Sequence, residues 1–178
     1  MKRSIAVMAS ALLCHVAAAQ LAPLEFKGLA PGGDASQVTA HPAWRCRAQE
    51  IDGADTVCSR QHETIAGAST EGVFVTAKEG TIMSVLVSFA QSDFAQVHEA
   101  LVAKYGRPTK TQAELKRSRI GAQFASQVSE WRRQNVYMRA EERTNSADVS
   151  MLFISSDLAA RQSNEQRKQQ SQRNKSDL

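Results

Sequence analysis

The chain has 178 residues, is 42% hydrophobic and 22% charged, and carries a formal net charge of +4 with a pI near 9.1. This length is enough for one domain of ordinary size with a single hydrophobic core. The net charge is too small to name a partner, and beyond the N-terminal leader no stretch is long and apolar enough to span a membrane.

Residues 1–19 have the pattern of a secretory signal peptide. A charged start at residues 2–3 precedes an apolar run over residues 5–16, and Ala17-Ala18-Ala19 matches a small-x-small cleavage site. The run is shorter than the roughly 20 apolar residues of a membrane anchor. Lipidation at Cys14 is disfavoured because the preceding residue is large. We therefore expect cleavage near Ala19 and a periplasmic or secreted protein.

Composition divides the remainder into a single domain, residues 20–158, and a tail, residues 159–178. The tail is polar and rich in glutamine, and without an apolar face it is expected to be a frayed helix or a disordered segment. A short helix over residues 34–40 is expected near the start of the domain. Charge is uneven, because residues 20–103 are net −5 whereas residues 104–143 are net +6. A dipolar molecule is therefore predicted.

The first hairpin signal contains both remaining cysteines. Two alternating segments, residues 44–48 and 56–60, flank residues 51–53, whose glycine closes a predicted three-residue loop. In this register Cys46 faces Cys58 across the strand pair, close to the separation that a disulfide requires. In an oxidising compartment the two cysteines are expected to form a disulfide.

The same hairpin also admits a zinc site. His41, Cys46, Cys58 and His62 bracket it symmetrically, and two cysteines with two histidines satisfy zinc chemically. The spacings lack the short Cys-x-x-Cys pair of structural zinc sites, and export favours oxidation. The disulfide is the favoured interpretation, with no metal and no other cofactor expected.

The central stretch predicts a second hairpin followed by the main helix. Residues 73–77 and 81–89 are rich in β-branched and aromatic residues, and residues 78–80 form a three-residue loop ending in glycine. Apolar residues then recur at helical spacing until Gly106, which predicts a helix over about residues 93–105. The apolar face of that helix consists of Phe94, Val97, Leu101 and Tyr105.

The last third of the domain is only partly assigned. Residues 109–129 leave two alternatives open, a helix interrupted by Gly121 or a long, partly ordered loop. Alternation returns at a strand around Trp131 and over residues 136–141, whose even-numbered positions are expected to face inward. A final strand is predicted over residues 149–154.

No catalytic motif is visible in the sequence. It contains no His-Glu-x-x-His, Gly-x-Ser-x-Gly or Ser-x-x-Lys motif and no glycine-rich phosphate loop. His98 lies at the edge of the helical apolar stripe, and a histidine without an assignable acid or nucleophile is more often structural than catalytic. The alternative function is a small cell-wall hydrolase or ligand-binding protein that uses His98 or His62. A protein without enzymatic activity is favoured.

Basic residues interleaved with aromatics are the strongest functional signal. Aromatic side chains beside arginine are typical of interface hot spots, although a solvated surface has the same composition. Nucleic acid is a poor match for an exported protein, so an envelope protein or an anionic cell-wall component is the expected partner. The predicted binding residues are Lys116, Arg117, Arg119, Trp131, Arg132, Arg133, Tyr137 and Arg139.

Several short motifs cover turns and the central helix. They include Phe26-Lys27-Gly28-Leu29, Thr64-Ile65-Ala66-Gly67, Lys104-Tyr105-Gly106-x-Pro108 and Gly121-Ala122-Gln123-Phe124. In these motifs the chain resembles an uncharacterised group of secreted proteobacterial proteins, a group without an established activity. Its layout is also similar to β-lactamase-inhibitor-protein-like modules, in which a short helical entry precedes an antiparallel sheet. That similarity implies a protein-binding module rather than an enzyme.

Together these patterns predict an α+β protein with one antiparallel sheet of hairpins. The main helix, about residues 93–105, is expected to pack on one face of the sheet in a two-layer arrangement. The predicted function is a non-enzymatic periplasmic binding or inhibitor-like protein that recognises an acidic envelope partner through a basic and aromatic face.

Overall fold

The computed structural model describes residues 22–118 and 120–156, and the predicted signal peptide, the predicted polar tail and Arg119 lie outside these ranges. The helices are α1 (Ser36–Thr39) and α2 (Phe94–Tyr105), the latter preceded by a 3-10 turn (Gln91–Asp93). The strands are β1 (Arg45–Ile51), β2 (Ala54–Arg60), β3 (Thr64–Ile65), β4 (Ala68–Lys78), β5 (Thr81–Ala90), β6 (Lys110–Arg117), β7 (Gln123–Arg133), β8 (Val136–Glu141) and β9 (Val149–Ser156).

The strands form one antiparallel sheet in the order β1-β2-β4-β5-β9-β8-β7-β6, with β3 paired to β4. Two meanders make up this sheet, and the last strand of one pairs with the last strand of the other, with Val85 opposite Ile154. Helix α2 connects β5, in the middle of the sheet, to β6 at its far edge. The predicted α+β class, mostly antiparallel sheet with one main helix, is confirmed.

Both predicted hairpin loops are one residue shorter than expected. The loops contain two residues, Asp52-Gly53 and Glu79-Gly80, and all four have positive φ, at 49°, 81°, 49° and 77°. Positive φ at both loop positions is the signature of a type I′ turn, whose twist matches that of the paired strands. The first residue of each predicted loop, Ile51 or Lys78, is instead the last residue of a strand. The register of each strand pair shifts nearby at a bulge.

Helix α2 agrees closely with its prediction. Its four predicted apolar residues are buried and join a core cluster with Val85 and Leu152 of the sheet. Gly106 ends the helix with a φ of 75° and donates its backbone N–H to the carbonyl of Val102 at 2.8 Å. Asp93 occupies the N-cap position, but its side chain makes no capping hydrogen bond. No helix within the described residues is long and apolar enough to cross a membrane.

The predicted disulfide between Cys46 and Cys58 is present, and its Cα atoms are 4.0 Å apart. Both sulfurs are therefore used in a covalent bond, which overturns the alternative zinc site. The predicted short helix is also confirmed as α1, next to a hydrogen bond from the backbone N–H of Ser36 to Asp34 Oδ1 at 2.8 Å. A disulfide in this position fits an exported protein.

Both alternatives for residues 109–129 are wrong, because this segment contains β6 and the start of β7. Its apolar residues misled the assignment because they do not define a buried face: Leu115 is 71% exposed and Ile120 is 93% exposed. Strand β6 pairs along its whole length with β7, from Lys110 opposite Glu130 to Arg117 opposite Gln123. Backbone hydrogen bonds and side-chain ion pairs hold β6 in the sheet. It therefore lacks the alternation of apolar and polar residues by which a strand is usually recognised in a sequence.

Candidate functional site

The sheet has two faces of very different burial. The core face includes one row of paired residues that are almost all buried, Cys46, Cys58, Val75, Val85, Ile154, Met138 and Trp131. Residues at the intervening positions of each strand lie on the opposite side of the sheet, which we call the outer face. One row of the outer face is Arg45, Ser59, Phe74, Leu86, Phe153, Arg139, Glu130 and Lys110.

The predicted binding residues are divided between these two faces. Trp131 is 1% exposed on the core face and donates its indole N–H to the carbonyl of Gly106 at 2.8 Å. Arg133 shares that face and donates to the backbone carbonyls of Ala22 and Tyr105. Both residues therefore hold the end of α2 against the sheet, and the structure does not place them beside the outer-face arginines.

Arg132 and Tyr137 do lie together on the outer face. The guanidinium of Arg132 stacks 4.7 Å from the ring centroid of Tyr137, on the neighbouring strand. The phenol of Tyr137 donates to Glu130 Oε1 at 3.0 Å, and burial together with that carboxylate raises the pKa of Tyr137 to about 12. The pair places a cation over a largely buried aromatic ring, beside the ion pairs described next.

Arg139 is surrounded by carboxylates of its own chain. Its guanidinium nitrogens lie 2.7 Å from Glu114, 3.1 Å from Glu130 and 2.5 Å from Glu141. Lys116 joins the same group, at 3.0 Å from Glu114 and 3.1 Å from Glu141. These two cations face three anions, so this part of the predicted basic face carries no excess of positive charge.

Hydrogen bonds within this cluster dominate its electrostatics. Burial raises the pKa of Glu114, but hydrogen bonds from Arg139, Lys116 and Gln112 outweigh it and hold that pKa at about 2. Burial lowers the pKa of Arg139, whereas its carboxylate partners, Glu141 first, raise it well above the usual range. Arg117, an exposed residue at the end of β6, alternates away from this cluster.

The structure reveals basic residues that sequence reasoning missed. Arg45 and Arg47 lie on the outer face of the opposite edge strand, both exposed, and neither forms an ion pair with any described residue. Phe74, on the same row as Arg45, is 42% exposed. Two shallow cavities of about 290 and 330 Å³ are both lined by Arg45, Ser59 and Phe74. The sequence contained a signal for them: because side chains alternate along a strand, a Cys46 that faces the core places Arg45 and Arg47 on the opposite face.

The two histidines considered for catalysis have different surroundings. His98 Nε2 lies 2.9 Å from the hydroxyl of Ser129, which is fully buried, and its ring contacts the rings of Phe94 and Trp131. Burial lowers the pKa of His98. These contacts are those of a packing residue. His62 instead lines the 290 Å³ cavity on the outer face.

No family model, curated protein or solved structure matches the chain. The resemblance to secreted proteobacterial proteins stays a prediction. The candidate site is therefore defined by geometry alone. At one edge of the outer face are arginines with no ion-pair partner among the described residues, and partly exposed apolar side chains lie in the middle. A cluster of two cations and three carboxylates lies toward the other edge. Among the described residues, no group of three His, Cys, Asp or Glu side chains is placed to hold a metal ion.

Proposed function

We propose that the protein is a non-enzymatic binding protein of the cell envelope, periplasmic or secreted, that recognises an acidic partner through the outer face of its sheet. The partner is an envelope protein or an anionic cell-wall component. The observation that carries the proposal is the pair of arginines, Arg45 and Arg47, that have no ion-pair partner among the described residues and lie beside the exposed Phe74. The proposal includes a two-layer arrangement in which α2 covers only the core face.

Two features of the outer face support binding rather than simple solvation. Phe74, Leu86 and Phe153 are adjacent on one row and none is fully buried, so together they present apolar area to a partner. Arginine beside aromatic side chains is the composition of interface hot spots. The arginines would also attract an acidic surface over several ångströms before contact.

Two observations, one from the sequence and one from the structure, support the proposed location of the protein in the cell envelope. The sequence of residues 1–19 is that of a leader cut near Ala19, and the disulfide between Cys46 and Cys58 is stable in an oxidising compartment. An exported protein meets anionic wall polymers and acidic protein surfaces, and these match the charge of Arg45 and Arg47.

The experiment is capture of a partner from an envelope extract by the immobilised protein. The variant Arg45→Glu with Arg47→Glu is expected to reduce capture to background, because like charges across an interface are repulsive. The matched control reverses two other exposed arginines, Arg107 in the turn after α2 and Arg117, which faces away from the outer face. It should capture as the wild type does.

Arg132 and Arg133 are both predicted binding residues, but the double substitution Arg132→Glu with Arg133→Glu is unsuitable because Arg133 holds α2. Equal capture by the wild type and the Arg45→Glu, Arg47→Glu variant would overturn the proposal. So would an equal loss in the control, because the effect would then follow net charge and not the outer face.

A further inference from the structure

Strand β1 is an edge of the sheet with an open side. Within residues 22–118 and 120–156 it pairs with β2 on one side only, and residues 45–48 are all exposed. An unpaired edge presents backbone N–H and C=O groups to which another strand can add. The other edge strand, β6, has likewise no partner on one side in the part of the chain that the structure describes, so the two edges have to be distinguished by their side chains.

The backbone groups that point outward from β1 can be identified. Directly opposed residues that exchange no hydrogen bonds have Cα atoms about 4.5 Å apart, whereas hydrogen-bonded pairs are about 5.5 Å apart. Cys46 and Cys58 have a Cα separation of 4.0 Å, so Cys46 belongs to the first kind. The N–H and C=O of Cys46, and by alternation those of Ala48, therefore point to the open side.

A strand added at this side would place its residues opposite Arg45 and Arg47 on the outer face. In an antiparallel pair these positions would be the non-hydrogen-bonded ones, where facing Cβ atoms are closest. Two acidic side chains separated by one residue would then meet two arginines that have no ion pair among the described residues. Strand β6 offers no such match, since Glu114 and Lys116 on its outer face are already paired.

The charge of residues 1–21 and 157–178 does not match that of Arg45 and Arg47. Neither residues 1–21 nor residues 157–178 contain two acidic residues separated by one position, and both segments carry more basic than acidic residues. A separate acidic polypeptide matches the two arginines better than either segment does.

We propose that β1 takes up an extended acidic polypeptide as an additional antiparallel strand, with carboxylates at alternating positions opposite Arg45 and Arg47. This deepens the proposed function, on which it rests, by naming the partner as a polypeptide rather than a wall polymer and by naming its conformation. Backbone hydrogen bonds to Cys46 and Ala48 supply the general attraction, and the two arginines select the acid-x-acid pattern.

The test uses two blocked eight-residue peptides of equal composition and charge. In one, glutamate alternates with threonine; in the other, pairs of glutamates alternate with pairs of threonines, so that no two glutamates are separated by one residue. The wild-type protein is expected to bind the alternating peptide about tenfold more tightly, measured by fluorescence anisotropy at low salt, because two exposed ion pairs together contribute about this factor. Hydrogen exchange followed by NMR should show the amides of Cys46 and Ala48 becoming protected, with those of Arg45 and Arg47 unchanged.

Reversing the charge of both the protein edge and the peptide distinguishes a loss of specific binding from a loss of folding. The variant Arg45→Glu with Arg47→Glu should lose the alternating glutamate peptide and gain an alternating lysine peptide, which a misfolded protein would not do. The control variant, Arg107→Glu with Arg117→Glu, should bind the glutamate peptide as the wild type does.

Equal affinity for the two glutamate peptides, or binding without protection of Cys46 and Ala48, would overturn strand addition. The proposed function would survive that result if capture from the extract still required Arg45 and Arg47. Absence of binding by any peptide would also overturn it, because the arginines would then serve only to keep the edge from pairing.

Discussion

Arg133 of β7 donates a hydrogen bond to the carbonyl oxygen of Tyr105, the last residue of α2, and its guanidinium lies 5.7 Å from the Tyr105 ring centroid. A second hydrogen bond from Arg133 reaches the carbonyl of Ala22. One side chain therefore ties the sheet to the end of the helix and to the entry segment. Its neighbour Arg132, on the outer face, makes none of these contacts.

This difference predicts unequal effects for two adjacent arginines. Replacing Arg133 with Ala should lower the free energy of unfolding by about 2–3 kcal/mol, because two carbonyls lose charged hydrogen-bond donors. Replacing Arg132 with Ala should cost less than about 1 kcal/mol, because its side chain is exposed and the contacts of exposed charged groups contribute little. Urea denaturation followed by circular dichroism measures both. Equal losses would contradict the assignment of the two residues to opposite faces.

The disulfide should contribute measurably to stability. The variant Cys46→Ala with Cys58→Ala is expected to lose about 2–3 kcal/mol of unfolding free energy, since the bond closes a loop with a sequence separation of 12. Alanine is preferred to serine because Cys58 is fully buried. The wild type measured in reductant should match the variant. A reduced wild type as stable as the oxidised form would show that the loop is already ordered without the bond.

His98 should make stability depend on pH near neutrality. Burial holds its folded-state pKa below the ordinary value of 6.5. As pH falls below 6.5 the unfolded state takes up a proton that the folded state resists, so stability decreases through this window. The variant His98→Gln should show a smaller difference in unfolding free energy between about pH 7.5 and about pH 5.5. An unchanged difference would mean that other groups account for it.

Glu114 should act in a more acidic window. Its carboxylate has a folded-state pKa of about 2 against an ordinary value of 4.5. Its contribution is therefore complete above pH 4.5 and is lost as pH falls toward 2. The variant Glu114→Gln should flatten the decline of stability over that range, followed by thermal unfolding at successive pH values. A decline as steep as that of the wild type would place the acid sensitivity elsewhere.

The sequence predicted those parts of the fold in which local pattern and tertiary packing agree. The apolar face of α2, the two glycine-closed hairpins and the pairing of Cys46 with Cys58 all follow from spacing. Strand β6 could not be found in this way, because cross-strand ion pairs replace a buried apolar face and Leu115 is exposed. The loop lengths were wrong because a bulge and a longer loop have similar sequences.

The candidate site was harder to predict, because charge along the chain differs from charge on a face. Residues 104–143 are net +6, yet Arg139 and Lys116 are matched by three carboxylates on the same face. Arg45 and Arg47, which form no ion pair with another described residue, lie in the segment that is net −5. Only the register of the strands shows which charges are neighbours.

The pairing of β5 with β9 has a consequence for synthesis. The ribosome makes the chain from its N-terminus, so β5 emerges long before the strand that completes its second side. Until β9 (Val149–Ser156) has been made, β5 has one unpaired side, and its residues include Val85, Leu86, Val87 and Phe89. One side of this strand therefore stays open to pairing with another chain throughout that interval.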